Sequence, residues 1–170
     1  SGLIRVGQSP VKDRIDADDA GTAEIKIAGA PNVAPEHPLV VAGLGGAKVS
    51  SHFNGKIERP FVLWGVPNDD RIIQTAAGEA DPALIAVWDF AQDVSGPNVP
   101  DVGPNGLHGT LINLPTRAVK SAEWDGSCFD WTKKPEHYAA VHFHDDDLYD
   151  CGWDSDFSFT VPEDFKSGVY

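Results

Sequence analysis

Polar and apolar side chains alternate with a period of two in several short runs of this chain, which predicts strands separated by turns. Residues 3–6 read as a short strand stopped at Ser9-Pro10, and residues 13–21 as an acidic surface loop. Residues 23–28 alternate as a half-buried strand, and residues 29–38 carry three prolines and read as a loop. The apolar run Leu39-Val40-Val41-Ala42-Gly43 predicts a strand buried on both faces. Asn54-Gly55 is a hairpin-turn signal, with Ile57 between Lys56 and Glu58 in the returning strand and Pro60 at an edge or bulge. One helix is expected over residues 68–78. Asn68 caps it, Asp69 and Asp70 suit its first turn, and Gly78 stops it. Its stripe of Ile72, Ile73, Ala76 and Ala77 would cover one side of a sheet. Strands follow at 84–90 and 110–113, with a long Pro/Gly/Asn loop between them at 93–109 holding Asp101, Asn105 and His108. Trp124-Asp125-Gly126 is turn-like, and Phe157-Ser158-Phe159-Thr160-Val161 alternates as a strand before an acidic turn. The pattern as a whole predicts a mainly β, antiparallel sandwich with one short helix.

The densest polar chemistry lies in residues 138–153. Read as a strand, this stretch puts Tyr138, Ala140, His142 and His144 on one face and Ala139, Val141 and Phe143 on the other. It then runs into Asp145, Asp146, Asp147 and Asp150. Neighbouring same-face histidines can share a transition metal completed by a carboxylate, so His142, His144, Asp145, Asp147 and Asp150 are the candidate ligands. A water on that metal would be a hydrolytic nucleophile. The alternative is that both histidines bond to nearby backbone while the aspartates cap a surface turn. Calcium in the acidic turn is a further candidate, although the EF-hand spacing is missing. Trp88, Trp124, Trp131 and Trp153 could stack on a sugar, or pack in the core of a sandwich. Gly43, Gly45 and Gly46 match no phosphate-loop motif and read as left-handed turn positions. Ser167 has no nucleophile-elbow context.

Composition narrows the classes. The 170 residues are 41% hydrophobic and 23% charged, enough for one domain with a core. A formal net charge of −13 opposes nucleic acid and anionic membrane as partners. No apolar run approaches the roughly 20 residues that span a bilayer. Cys128 and Cys151 are too few for a disulfide scaffold and are expected to be free, buried thiols. The chain has no methionine and opens on Ser1-Gly2-Leu3, which is the expectation for a fragment, a processed subunit or an excised domain.

Several motifs carry a family resemblance. Phe53-Asn54-Gly55-Lys56-Ile57-Glu58 and the helix at 69–77 resemble the late hairpin and closing helix of laminin-G-like or concanavalin-A-like jelly rolls. Trp88-Asp89-Phe90, Asp101, Gly106-Leu107-His108-Gly109 and Trp124-Asp125-Gly126 resemble the segment with which such domains begin. With the run from His142 to Asp150 and that from Val161 to Tyr170, the chain resembles an internal piece of the large (beta) subunit of N,N-dimethylformamidase and its relatives. Residues 1–50 carry the least of this likeness.

The resemblance implies an amidohydrolase that cleaves formamides to formate and an amine, in a cytoplasmic heteromer with a small subunit. It also implies one iron, held by tyrosine and glutamate in a later domain and not assignable to residues of this chain. On this view residues 1–92 form a jelly-roll-like portion closed by the helix at 68–78. Residues 93–170 form a loop-rich extension toward a catalytic domain outside the chain. The segment would then be structural, without catalytic residues and with no cofactor of its own. The competing expectations are a stand-alone laminin-G-like module binding carbohydrate or protein, and a small metallohydrolase centred on His142 and His144.

Overall fold

The computed structural model describes residues 2–10, 20–29, 38–46, 48–146 and 150–169. Among these the chain is mainly β, every strand pair is antiparallel, and there is one α-helix. The centre is a three-stranded sheet in the order β3 (Gly55–Glu58), β9 (Ala140–Phe143), β8 (Thr116–Val119). Alternation along β9 drives Val141 inward, where it is fully buried, while His142 faces the other way. Val141 packs with Phe90, Val99 and Leu111, and Ile57, Trp88 and Phe143 close the sides of this cluster. Burying four such side chains contributes several kcal/mol, at about 1.5–3 kcal/mol for each large one.

Two small sheets flank the centre. β4 (Phe61–Leu63) pairs with β5 (Leu84–Val87), and β6 (Asn98–Val99) pairs with β7 (Gly109–Thr110). A bridge between Trp88 and Asp101 ties the two together. Between β4 and β5 runs α1 (Asp69–Ala76). Asn68 accepts a hydrogen bond from the Arg71 backbone N–H at 3.0 Å, and Gly78 ends the helix at φ +96°. The Arg71 guanidinium holds Asp81 in a two-pronged pair. β1 (Gly2–Gln8) and β2 (Gly21–Ile27) form a separate hairpin, joined to α1 through Arg5 and Asp69 at 3.0 Å.

Several expectations are corrected by tertiary contacts. Leu39 to Gly43 is not a buried strand: it carries only the Leu44–Ser50 bridge beside it, and Leu39 and Val41 are exposed. The left-handed residue there is Ala42 at φ 65°, and Gly43 is needed because a Cβ would come within 2.7 Å of Val49. Asn54-Gly55 makes no local hairpin, since the partner of β3 is β9, far away in sequence. The stripe of α1 covers no sheet: Ile72 and Ile73 are exposed, and Thr75 is the buried position. The strand expected from Tyr138 starts only at Ala140, because Pro135–Tyr138 form a 3-10 turn. Residues 157–161 form no strand, for no strand of the described residues runs beside them. Both cysteines are free, but neither is buried: Cys128 is half-buried and Cys151 exposed. The loops expected at 13–21 and 29–38 fall largely outside the described residues, as does Asp147.

Candidate functional site

β9 brings the two histidines together as its pattern predicts. Their rings lie with centroids 5.1 Å apart, tilted by 45°, on the face turned away from the core. The register sets Lys56 directly opposite His142 on one side and Thr116 opposite it on the other. An ammonium-bearing side chain beside the imidazole works against a divalent cation there. Asp145 is committed elsewhere. Its Oδ1 accepts from Asn54 Nδ2 at 2.8 Å, and its backbone N–H donates to Asn54 Oδ1 at 2.8 Å. Asp150 accepts from the Gly152 N–H, and Asp146 is exposed. Among the described residues no three His, Cys, Asp or Glu side chains come close enough to hold one metal.

Among the described residues the one tyrosine is not placed to hold the iron that the resemblance implies. Tyr138 is buried and its hydroxyl donates to the Cys128 carbonyl at 2.9 Å, so it is satisfied within the fold.

The most organised polar centre is Asp101, which is 6% exposed. Its Oδ1 accepts from the backbone N–H groups of Val87 at 2.9 Å and Gly103 at 2.8 Å, and its Oδ2 from that of Leu107 at 2.7 Å. The Asp101 N–H in turn donates to His108 Nδ1 at 3.0 Å, which leaves the His108 proton on Nε2. Burial raises the Asp101 pKa, but the three N–H donors outweigh it and hold the carboxyl below its usual range. Gly103 is required by this closeness, since a Cβ would stand 2.8 Å from Asp101 Oδ1. Asn105 Nδ2 donates to the Ile85 carbonyl and Trp88 Nε1 to that of Leu107, which fastens the loop to β5. Beside it lies an open depression lined by Asp93, Asn98, His108 and Thr110 among others.

Arg117 organises the neighbouring turn. Its guanidinium is ringed by the carbonyl oxygens of Asp93, Gly96, Asn98, Phe90 and Gln92 at 2.7–3.1 Å. Burial lowers its pKa and the Asp93 charge opposes that fall. A one-residue bulge in β8, with Ala118 at φ 54°, separates Arg117 from the regular ladder with β9. No sequence motif announces this anchor, because its acceptors are backbone atoms. Asp101 was noted as a residue of the 93–109 loop and as part of a resemblance, and the spacing Asp-x-Gly does signal a side chain folded back on its own loop.

A third cluster surrounds His137, a buried side chain whose Nδ1 lies 3.6 Å from Asp125 Oδ1, beyond hydrogen-bonding reach. The Ser127 hydroxyl and backbone N–H donate to Asp125 and, with His137 and Lys134, outweigh desolvation and hold its pKa at about 2. Lys134 Nζ donates to Ser127 Oγ at 3.0 Å. Trp124 lies under the Lys120 ammonium, 3.7 Å from the ring centroid, and meets Phe129 edge-on. Trp88 borders the core, whereas Trp131 and Trp153 are exposed. The arrangement rigidifies loops.

Residues 116–170 match the family model described as N,N-dimethylformamidase beta subunit-like, C-terminal. The N,N-dimethylformamidase beta subunit of an Alcaligenes species is 34% identical over 170 residues, covering 92% of this chain. This stretch belongs to the N,N-dimethylformamidase beta-subunit family. The beta subunit of Paracoccus aminophilus is also 34% identical, over 146 residues and 78% of the chain. The chain spans only 22% and 19% of the lengths of these two relatives, about a fifth. A family resemblance read from scattered motifs thus extends along most of the sequence.

Proposed function

We propose that this chain is a structural segment of the large subunit of an N,N-dimethylformamidase-type amidohydrolase, and that the reacting groups lie outside it. The observation that carries this reading is the likeness to a beta subunit along 92% of the chain, which spans 22% of that relative's length. The geometry supports it, because the best-organised polar groups of the chain, Asp101 and Arg117, are spent on backbone. The surface supports it too. Among the described residues Val6, Ile25, Trp64, Phe129 and Trp153 are each more than half exposed. On this reading the whole enzyme hydrolyses the C–N bond of a formamide to formate and amine, in a cytoplasmic assembly with a small subunit. Its iron is held by tyrosine and glutamate elsewhere in the large subunit, and the jelly-roll character belongs to the assembled protein.

The test is formate release from N,N-dimethylformamide by the complete gene product with its small subunit, compared with the 170-residue chain alone. Activity is expected in the first and none in the second. In the complete protein, His142→Ala with His144→Ala is expected to leave kcat within about 2-fold, as for a surface change remote from chemistry. A loss on the order of 100-fold would place a reacting group in this segment and overturn the reading.

A further inference from the structure

The hairpin of β1 and β2 has one polar and one apolar face. The register runs from Gly2 opposite Ile27 to Gln8 opposite Gly21, so Ile4, Val6, Ala23, Ile25 and Ile27 share one side, with Gly2 at one end and Gln8 and Gly21 at the other. Leu3, Arg5, Thr22, Glu24 and Lys26 share the other. Arg5, on the polar side, binds Asp69 at the start of α1, so the polar side is the one fastened to the chain. No described residue covers the apolar side: Ile4 is 45% exposed, Ile25 61% and Val6 65%. A lone two-stranded ribbon is marginal in water, and a ribbon with one largely aliphatic face gains its stability from a second layer.

Size decides what that layer is. Two strands of 7 residues present a face of about 24 Å by 10 Å, from the usual rise and spacing. Two copies meeting through it would bury about 500 Å² in total, far below the roughly 1,200–2,000 Å² of a stable dimer. A layer from the same polypeptide needs no such area, because it loses no translational freedom on docking. The relatives supply about four-fifths of their length outside the matched region.

We propose that the face formed by Ile4, Val6, Ala23, Ile25 and Ile27 is an internal interface of the complete large subunit. An aliphatic sheet face or helix flank from the part of the polypeptide outside this chain covers it. The inference rests on the reading of the chain as a segment of that subunit.

Thiol accessibility tests it. The I25C and V6C variants report the apolar side and T22C the polar side, each labelled with a maleimide and read peptide by peptide by mass spectrometry. In the isolated chain all three are expected to label at similar rates. In the complete gene product with its small subunit, I25C and V6C should label at least about 10-fold more slowly, and T22C within about 3-fold of its isolated rate. Two positions are used so that a folding defect in one leaves the other to decide. Unslowed labelling of I25C and V6C in the complete protein overturns the proposal. So does a gene product no longer than this chain, or protection in the isolated chain accompanied by a dimer mass in light scattering.

Formate release by the same preparations separates the two claims. An active enzyme with an open face refutes the interface alone. An inactive protein with a protected face refutes the amidohydrolase reading and leaves the interface standing.

Discussion

Asp101 and Arg117 occupy complementary roles, one a buried anion facing N–H groups and the other a cation facing carbonyls. Replacing Asp101 by Asn turns an amide N–H toward one of those donors, so D101N should cost about 2–3 kcal/mol in urea denaturation. The pH dependence has a definite sign. A carboxyl held below its unfolded value contributes stability that is complete above about pH 4 and is lost as pH falls through the folded pKa. Wild type should therefore lose stability on acidification from about pH 4 downward more steeply than D101N, which lacks this proton uptake. R117K keeps the charge but has three donors for five carbonyls, and should cost about 2–4 kcal/mol. His142 faces away from the core, and H142A should change stability by less than about 0.5 kcal/mol. Its place on the strand face was legible from alternation, whereas its neighbour Lys56 was not, because strand register is a long-range property.

At the level of elements, β8 was missed and β9 was entered too early, and both errors have physical causes. β8 is Thr-Arg-Ala-Val with a bulge, so its period of two is broken within four residues. Tyr138 continues the alternation of β9 in sequence, but Pro135 starts a 3-10 turn that buries His137 and Tyr138 at the strand entrance. The left-handed Ala118 at φ 54° carries strain that glycine would relieve. A118G should raise stability by about 1 kcal/mol, or about 2–4 °C in Tm by calorimetry. The helix was read correctly because its signals are local: a cap, an acidic first turn and a glycine stop. What its stripe would face was not, since Ile72 and Ile73 turn away from every sheet of the described residues.

For the molecule as a whole, the cohesive part is the centre built on Val141, and cohesion falls off toward the hairpin and toward residues 150–169, which are exposed throughout. Hydrogen exchange of the isolated chain should follow that order. Amides of β9 should be the most protected, with those of β1 and β2 exchanging at least about 100-fold faster. In the complete protein the hairpin should approach the protection of the centre. Equal protection of β9 and the hairpin in the isolated chain would show a second core that the exposures of Ile4, Val6 and Ile25 exclude.

The amino-acid sequence by itself determined what depends on neighbours along the chain: the β class, the helix ends, the opposite faces of β9 and the amphipathic strands 3–6 and 23–28. It also carried the family, through short motifs whose order survives along the chain. Tertiary structure alone decided which strands pair, which apolar faces are covered and where a buried charge finds its partners. Val141 and Ile25 are equally apolar in sequence, yet one is sealed and the other is open to water. The difference lies in what stands opposite them, and that is set by contacts between residues far apart in the chain.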